Sequence, residues 1–160
     1  MPEVLTKSSV ETKKVAAFLA RSLKKGVVIA MEGNLGSGKT TFVQGFAKAL
    51  GIRENVLSPT FVLMKIYPLS KKKKLKHLIH IDCYRLGSPS DLRHLGFRNL
   101  LKDKDAIILI EWADRIKKLI PLKNVIWIKF SHGKSPMTRI IRLRIGEKDI
   151  KNATEGEPRG

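Results

Sequence analysis

The chain has 160 residues, 42% of them hydrophobic, which is enough for one core and too few for two full domains. Thirty-two Lys and Arg stand against fourteen Asp and Glu, and the formal net charge of +18 points to a polyanionic neighbour as much as to a lysine-rich solvated surface. Cys83 is the only cysteine, the N-terminal stretch lacks the apolar segment of a secretory signal, and no apolar run approaches the ~20 residues that cross a bilayer, so the sequence predicts a cytoplasmic protein without disulfides or membrane insertion.

In chain order, Ser8 or Ser9 is placed to cap a helix whose apolar positions Val15, Phe18, Leu19 and Leu23 fall at helical spacing, with Gly26 suited to ending it. The continuous apolar stretch 27–32 predicts a buried strand, the segment 33–40 a glycine loop, and 41–50 a second helix. Gly45 inside that helix predicts a close approach of the helix to the sheet. Segments 61–69 and 77–82 read as a hairpin joined by the charged connection 70–76. Ser88 as N-cap, Pro89 at the first helical position and Asp91 at the third predict a short helix through Leu95. A second buried strand follows at 106–111, then strands at 124–130 and 137–145; in the last, Ile141, Leu143 and Ile145 alternate with Arg142 and Arg144 as on an edge strand wet on one face. Residues 146–160 read as a polar, disordered tail, which leaves one domain over 1–145. The pattern as a whole predicts an α/β layered fold like that of P-loop NTPases, with a central, mostly parallel sheet, antiparallel edge strands and flanking helices.

The chemistry lies first in Gly33-Asn34-Leu35-Gly36-Ser37-Gly38-Lys39-Thr40, followed by Thr41, which satisfies the Walker A pattern between a predicted strand and a predicted helix. Glycines in such a loop let backbone N–H groups converge on an anion, the helix N-terminus adds its positive dipole end, Lys39 reaches the β- and γ-phosphates of ATP, and Thr40 offers its hydroxyl to Mg2+. Further Mg2+ ligands are carboxylates at strand ends, and two predicted strands finish in Asp82 and Glu111; one would hold the ion while the other orients the attacking water. Either acid could instead cap a loop or pair with Arg85 or Arg115. Thr60, in the Ser58-Pro59-Thr60 segment, lies where nucleotide-sensing segments often follow the loop helix, and Trp112 could pack on nucleotide, on a partner or in the core. His77, His80 and Cys83 recur at threes, but a strand sends His77 and His80 to opposite faces, which argues against a metal site and leaves Cys83 a core residue.

Five ordered motifs, GNLGSGKTT from Gly33, SPTF at 58–61, HIDCYRL at 80–86, LGF at 95–97 and IEWADR at 110–115, make the chain up to about Ile145 resemble the TsaE family, the small ATPase of bacterial tRNA threonylcarbamoyladenosine biosynthesis. The resemblance implies ATP rather than GTP and a complex with the TsaB and TsaD proteins acting on adenosine 37 of tRNA, in which this subunit hydrolyses ATP without transferring the group itself. It assigns Lys39 and Thr40 to phosphate and Mg2+, Glu111 to Mg2+, Asp82 to catalysis and the helix start near Ser9 to the base. Asn34 departs from the family's usual Asp and removes a negative charge from the loop rim. Two other readings stay open: a P-loop kinase for a small molecule, and a basic RNA-binding module with a structural nucleotide. Any direct contact with tRNA would be made through phosphates, and the Lys71–Lys74 run is the place to seek it.

Overall fold

The computed structural model describes residues 2–57 and 63–145, which form a seven-stranded sheet of order β1-β7-β6-β2-β5-β4-β3. The elements are β1 (Glu3–Thr6), α1 (Ser9–Ser22), β2 (Val27–Glu32), α2 (Lys39–Ala49), β3 (Met64–Pro68), β4 (His77–Asp82), α3 (Pro89–His94), α4 (Phe97–Leu100), β5 (Ala106–Glu111), a 3-10 segment η1 (Ala113–Leu119), β6 (Val125–His132) and β7 (Arg139–Ile145). Strands β6, β2, β5 and β4 are mutually parallel; β3 pairs antiparallel with β4, β7 with β6, and β1 with β7. The fold is thus the expected α/β class with a parallel centre and antiparallel margins.

Strand alternation separates two cores. Ile29, Met31, Ile107, Leu109, Ile128 and Phe130 pack on one face against α1 and α2, while Val28, Ala30, Ile108, Ile110, Ile79 and Ile81 pack on the other with Leu92, Phe97, Ala113 and Ile116. Because both faces of the central strands are covered, these strands read as unbroken apolar runs. At α3 the capping box is present as expected, Asp91 reaching back to the Ser88 N–H.

Several expectations need correction. The first helix is capped by the Ser8 side chain but stops at Ser22, and Leu23 is already extended. Gly26 serves the sheet instead: its N–H donates to Lys104 O, and a Cβ there would stand 2.6 Å from that oxygen. The strand at 139–145 is not at the edge, because β1 covers it, with Glu3 opposite Arg142 and the Arg142 Nε donating to Glu3 Oε2 at 2.6 Å. No sequence signal marked β1, since most of its four residues are exposed and main-chain pairing rather than a buried stripe places it. The short elements α4 and η1 were likewise unmarked. The readings of Thr60 and of the tail 146–160 lie outside the described residues.

Gly45 does mark a close approach, but to α1 and not to the sheet: a Cβ would lie 2.6 Å from Lys13 Cα and 2.8 Å from Lys13 O. Ala would raise helix propensity by ~1 kcal/mol, yet the clash is with the backbone of α1. Gly45→Ala is therefore expected to destabilise the chain by about 1–3 kcal/mol in urea unfolding, the overpacking cost exceeding the propensity gain.

Candidate functional site

The functional residues gather where the parallel strands end. Directly after β2 the backbone enters the loop 33–38 with three glycines at positive φ, and only Gly33 and Gly38 are sterically engaged by neighbours. At Gly33 (φ 152°) a Cβ would fall 2.6 Å from Phe130 O, so the loop turns tightly beside β6. Gly38, in the left-handed region at φ 104°, is the N-cap of α2, and among the described residues no side chain caps that end. A helix N-terminus without a side-chain cap, reached through a glycine loop, is built to meet an anion.

Lys39 is 4% exposed, and its Nζ donates to Gly33 O at 2.5 Å, Asn34 O at 3.0 Å and Ser37 Oγ at 3.3 Å. Burial pulls its pKa below the ordinary lysine value, while the nearby Glu111, Asp82 and Asp114 carboxylates hold it up. The ammonium also sits 4.2 Å from the centre of the Trp112 ring, a cation–π distance. Trp112 has φ 57° and ψ 40°, a left-handed conformation that costs a bulky residue roughly 1–2 kcal/mol. Tyr84 packs against its ring at 5.0 Å, and Arg115 lies over both rings while donating from Nη1 to Tyr84 O. Trp112 is thus neither simple core nor surface but one wall of the site.

The two strand-end acids are neighbours, Asp82 on β4 standing opposite Glu111 on β5 in the parallel register. Glu111 is 2% exposed and its oxygens are divided: Thr40 Oγ1 donates to Oε1 at 2.9 Å, and His80 Nε2 lies 2.6 Å from Oε2. Asp82 is less buried and accepts the Tyr84 N–H at 2.9 Å through Oδ1. Thr40, Glu111 and Asp82 form an all-oxygen donor set of the kind a hard divalent cation takes. Ser9, exposed, begins α1 at the same end of the sheet: Thr6 just before it pairs with Arg139, whose Cγ is 3.7 Å from a Cβ built on Gly38. Asn34, Leu35 and Gly36 form the exposed rim of the loop, with Ser37 buried beneath it and Thr41 half-buried in the first turn of α2.

His80 was not singled out as a site residue, although the opposite-face reading of His77 and His80 describes it: His80 is wholly buried, His77 half-buried. With Nε2–H donating to Glu111, its Nδ1 is left buried with no hydrogen-bond partner among the described residues. The available signal was its place two residues before Asp82 on an otherwise apolar strand. Burial also pushes the Cys83 thiol up to about 12, with Asp82 adding to the shift, so this cysteine is a protonated core residue.

A model of the family "Threonylcarbamoyl adenosine biosynthesis protein TsaE" matches residues 6–141. The chain belongs to the TsaE family. Among curated relatives, TsaE of Rickettsia felis is 41% identical over 111 residues, covering 69% of this chain and 61% of its own, and TsaE of Bacillus subtilis is 39% identical over 115 residues, covering 72% and 68%. The match to the Rickettsia conorii relative likewise reaches 62% of that protein, so the chain spans about three-fifths of the length of these first relatives. The crystal structure of YdiB from Bacillus subtilis is similar over 96% of this chain and 91% of its own, with 30% identity and a TM-score of 0.77. That likeness bears out the α/β arrangement of the sheet. Among the described residues no helix is long and apolar enough to cross a membrane.

Proposed function

We propose that this TsaE-family chain is a Mg2+-dependent ATP hydrolase that works with TsaB and TsaD in the threonylcarbamoyl modification of adenosine 37 of tRNA, its turnover driving or resetting the complex rather than transferring the group. The pathway rests on the family and on relatives named for tRNA threonylcarbamoyladenosine biosynthesis. The chemistry rests on one observation: the Thr40 hydroxyl and the Glu111 carboxylate, 71 residues apart in the chain, meet at 2.9 Å beside the glycine loop.

In this reading the loop amides and the N-terminus of α2 hold the β- and γ-phosphates, and Lys39 exchanges its bonds to Gly33 O and Asn34 O for phosphate oxygens. Thr40 and Glu111 are the ligands for Mg2+, which when bound offsets phosphate charge. Asp82, less buried, orients the attacking water, and Trp112 screens the site on the side of Tyr84. His80 fixes the orientation of Glu111 and acts through it. His80→Ala is expected to raise the Mg2+ concentration needed for half-maximal ATPase about tenfold while turnover at saturating Mg2+ stays near the parent rate. An unchanged Mg2+ midpoint would make His80 a packing residue only.

The decisive test is ATPase activity of the chain alone and again with TsaB, TsaD and tRNA. Activity that appears or rises only in the mixture is expected, and a phosphorylated small-molecule product would replace the reading with that of a kinase.

A further inference from the structure

We propose that the end of the sheet opposite the glycine loop, where the four parallel strands begin, is a binding face for the phosphate backbone of folded RNA. The topology assembles it. Arg21, Lys24 and Lys25 precede β2, Lys71–Lys74 and Lys76 precede β4, Lys102 and Lys104 precede β5, and Lys123 precedes β6. Main-chain and side-chain bonds tie these approaches side by side: Lys76 N–H to Asp105 O, Gly26 N–H to Lys104 O, and Asn124 Nδ2 to Gly26 O. The ends of α1 and α2 close the same face, with Arg21, Lys24, Lys73 and Lys74 around one cavity that also meets Ala49 and Leu50.

All these cations except Lys73 are exposed, and the only acids in the same approaches are Asp103 and Asp105. Lys73 is half-buried because its Nζ donates to Leu50 O at 2.7 Å, closing the C-terminal end of α2. The carboxylates Asp82, Glu111 and Asp114 lie at the other end, while eleven of the 32 Lys and Arg and two acids meet where the strands start, a local net charge of +9.

Lysine dominates, and an ammonium is a point charge suited to phosphate rather than a fork that reads base edges. No aromatic side chain occurs in 21–25, 70–76, 102–105 or 121–124, so the face lacks the stacking platforms that capture unpaired bases. Leu75 is buried and Leu23 half-buried, and with their apolar side chains turned inward the face resembles a duplex-backbone surface more than a lipid anchor, Leu122 being the exposed exception. The site of ATP chemistry is elsewhere, and this face does not depend on turnover.

Fluorescence anisotropy of the full chain with an unmodified tRNA transcript and with a 20-base-pair RNA duplex, from about 50 to 300 mM KCl, tests it. The variant carries Lys25, Lys71, Lys72 and Lys74→Gln and keeps Lys73 for its bond to α2. Its control carries Lys7, Lys14, Lys129 and Lys134→Gln, four exposed lysines on other surfaces. The variant is expected to lose about tenfold in affinity for both RNAs at 0.1 M salt and to have a log–log salt slope shallower by about 3, with ATP affinity unchanged and the control at the parent value. Equal losses in both proteins, no binding of either RNA by the parent, or tighter parental binding to phosphatidylserine vesicles than to RNA would each overturn the proposal. ATPase measured in the same preparations reads the nucleotide site separately, so failure of one reading is not mistaken for failure of the other.

Discussion

Lys39→Ala is expected to lower ATP turnover by at least about 10²–10³-fold and to weaken nucleotide binding, with the far-ultraviolet circular dichroism unchanged. The size of the effect follows from where the ammonium sits. It is buried, it is bonded to loop carbonyls that a ligand's oxygens can replace, and Glu111, Asp82 and Asp114 are the carboxylates that keep its charge in place against burial. Backbone amides alone neutralise the β- and γ-phosphates only in part, so charge developing between them would lose a full cation supplied by the chain. The fold does not need the side chain, because α2 is anchored by Phe42, Val43 and Phe46 in the core. Steady-state hydrolysis with saturating ATP and Mg2+ checks this, and parental turnover in the variant would remove the nucleotide assignment of the loop.

Glu111→Gln and Asp82→Asn should fail in different ways. Glu111 receives Thr40 on one oxygen and His80 on the other, so the Gln amide has one orientation that avoids donor against donor: its oxygen toward His80 and its NH2 toward a Thr40 hydroxyl turned to accept. The protein stays folded, but the charge meant for Mg2+ is gone. The Mg2+ midpoint of the ATPase is expected to rise about a hundredfold or more, with part of the rate restored at high Mg2+. Asp82→Asn should leave that midpoint near the parent's and lower the rate at saturating Mg2+ by about 10²-fold, as loss of a group acting in the transition state does. Magnesium titrations of both variants decide between the roles, and the reverse pattern would exchange them.

The amino-acid sequence by itself determined the parallel centre of the sheet, the hairpin, the cap of α3 and the glycine loop. Each is a local matter: both-face burial makes β2 and β5 continuous apolar runs, Ser88-Pro89-x-Asp91 caps its own helix, and a loop between strand and helix needs its glycines in place. Asp82 and Glu111 were legible as strand-end acids for the same reason. Only the tertiary structure decided what met what. That His80 holds Glu111 depends on β4 lying beside β5 in register, that Gly45 faces Lys13 depends on how α1 packs on α2, and that β7 is covered depends on a four-residue strand with little buried surface of its own. Apart from the Lys71–Lys74 run the basic residues show no cluster along the chain, because the approaches to four strands are far apart in sequence and become one surface only when parallel pairing aligns the strand starts.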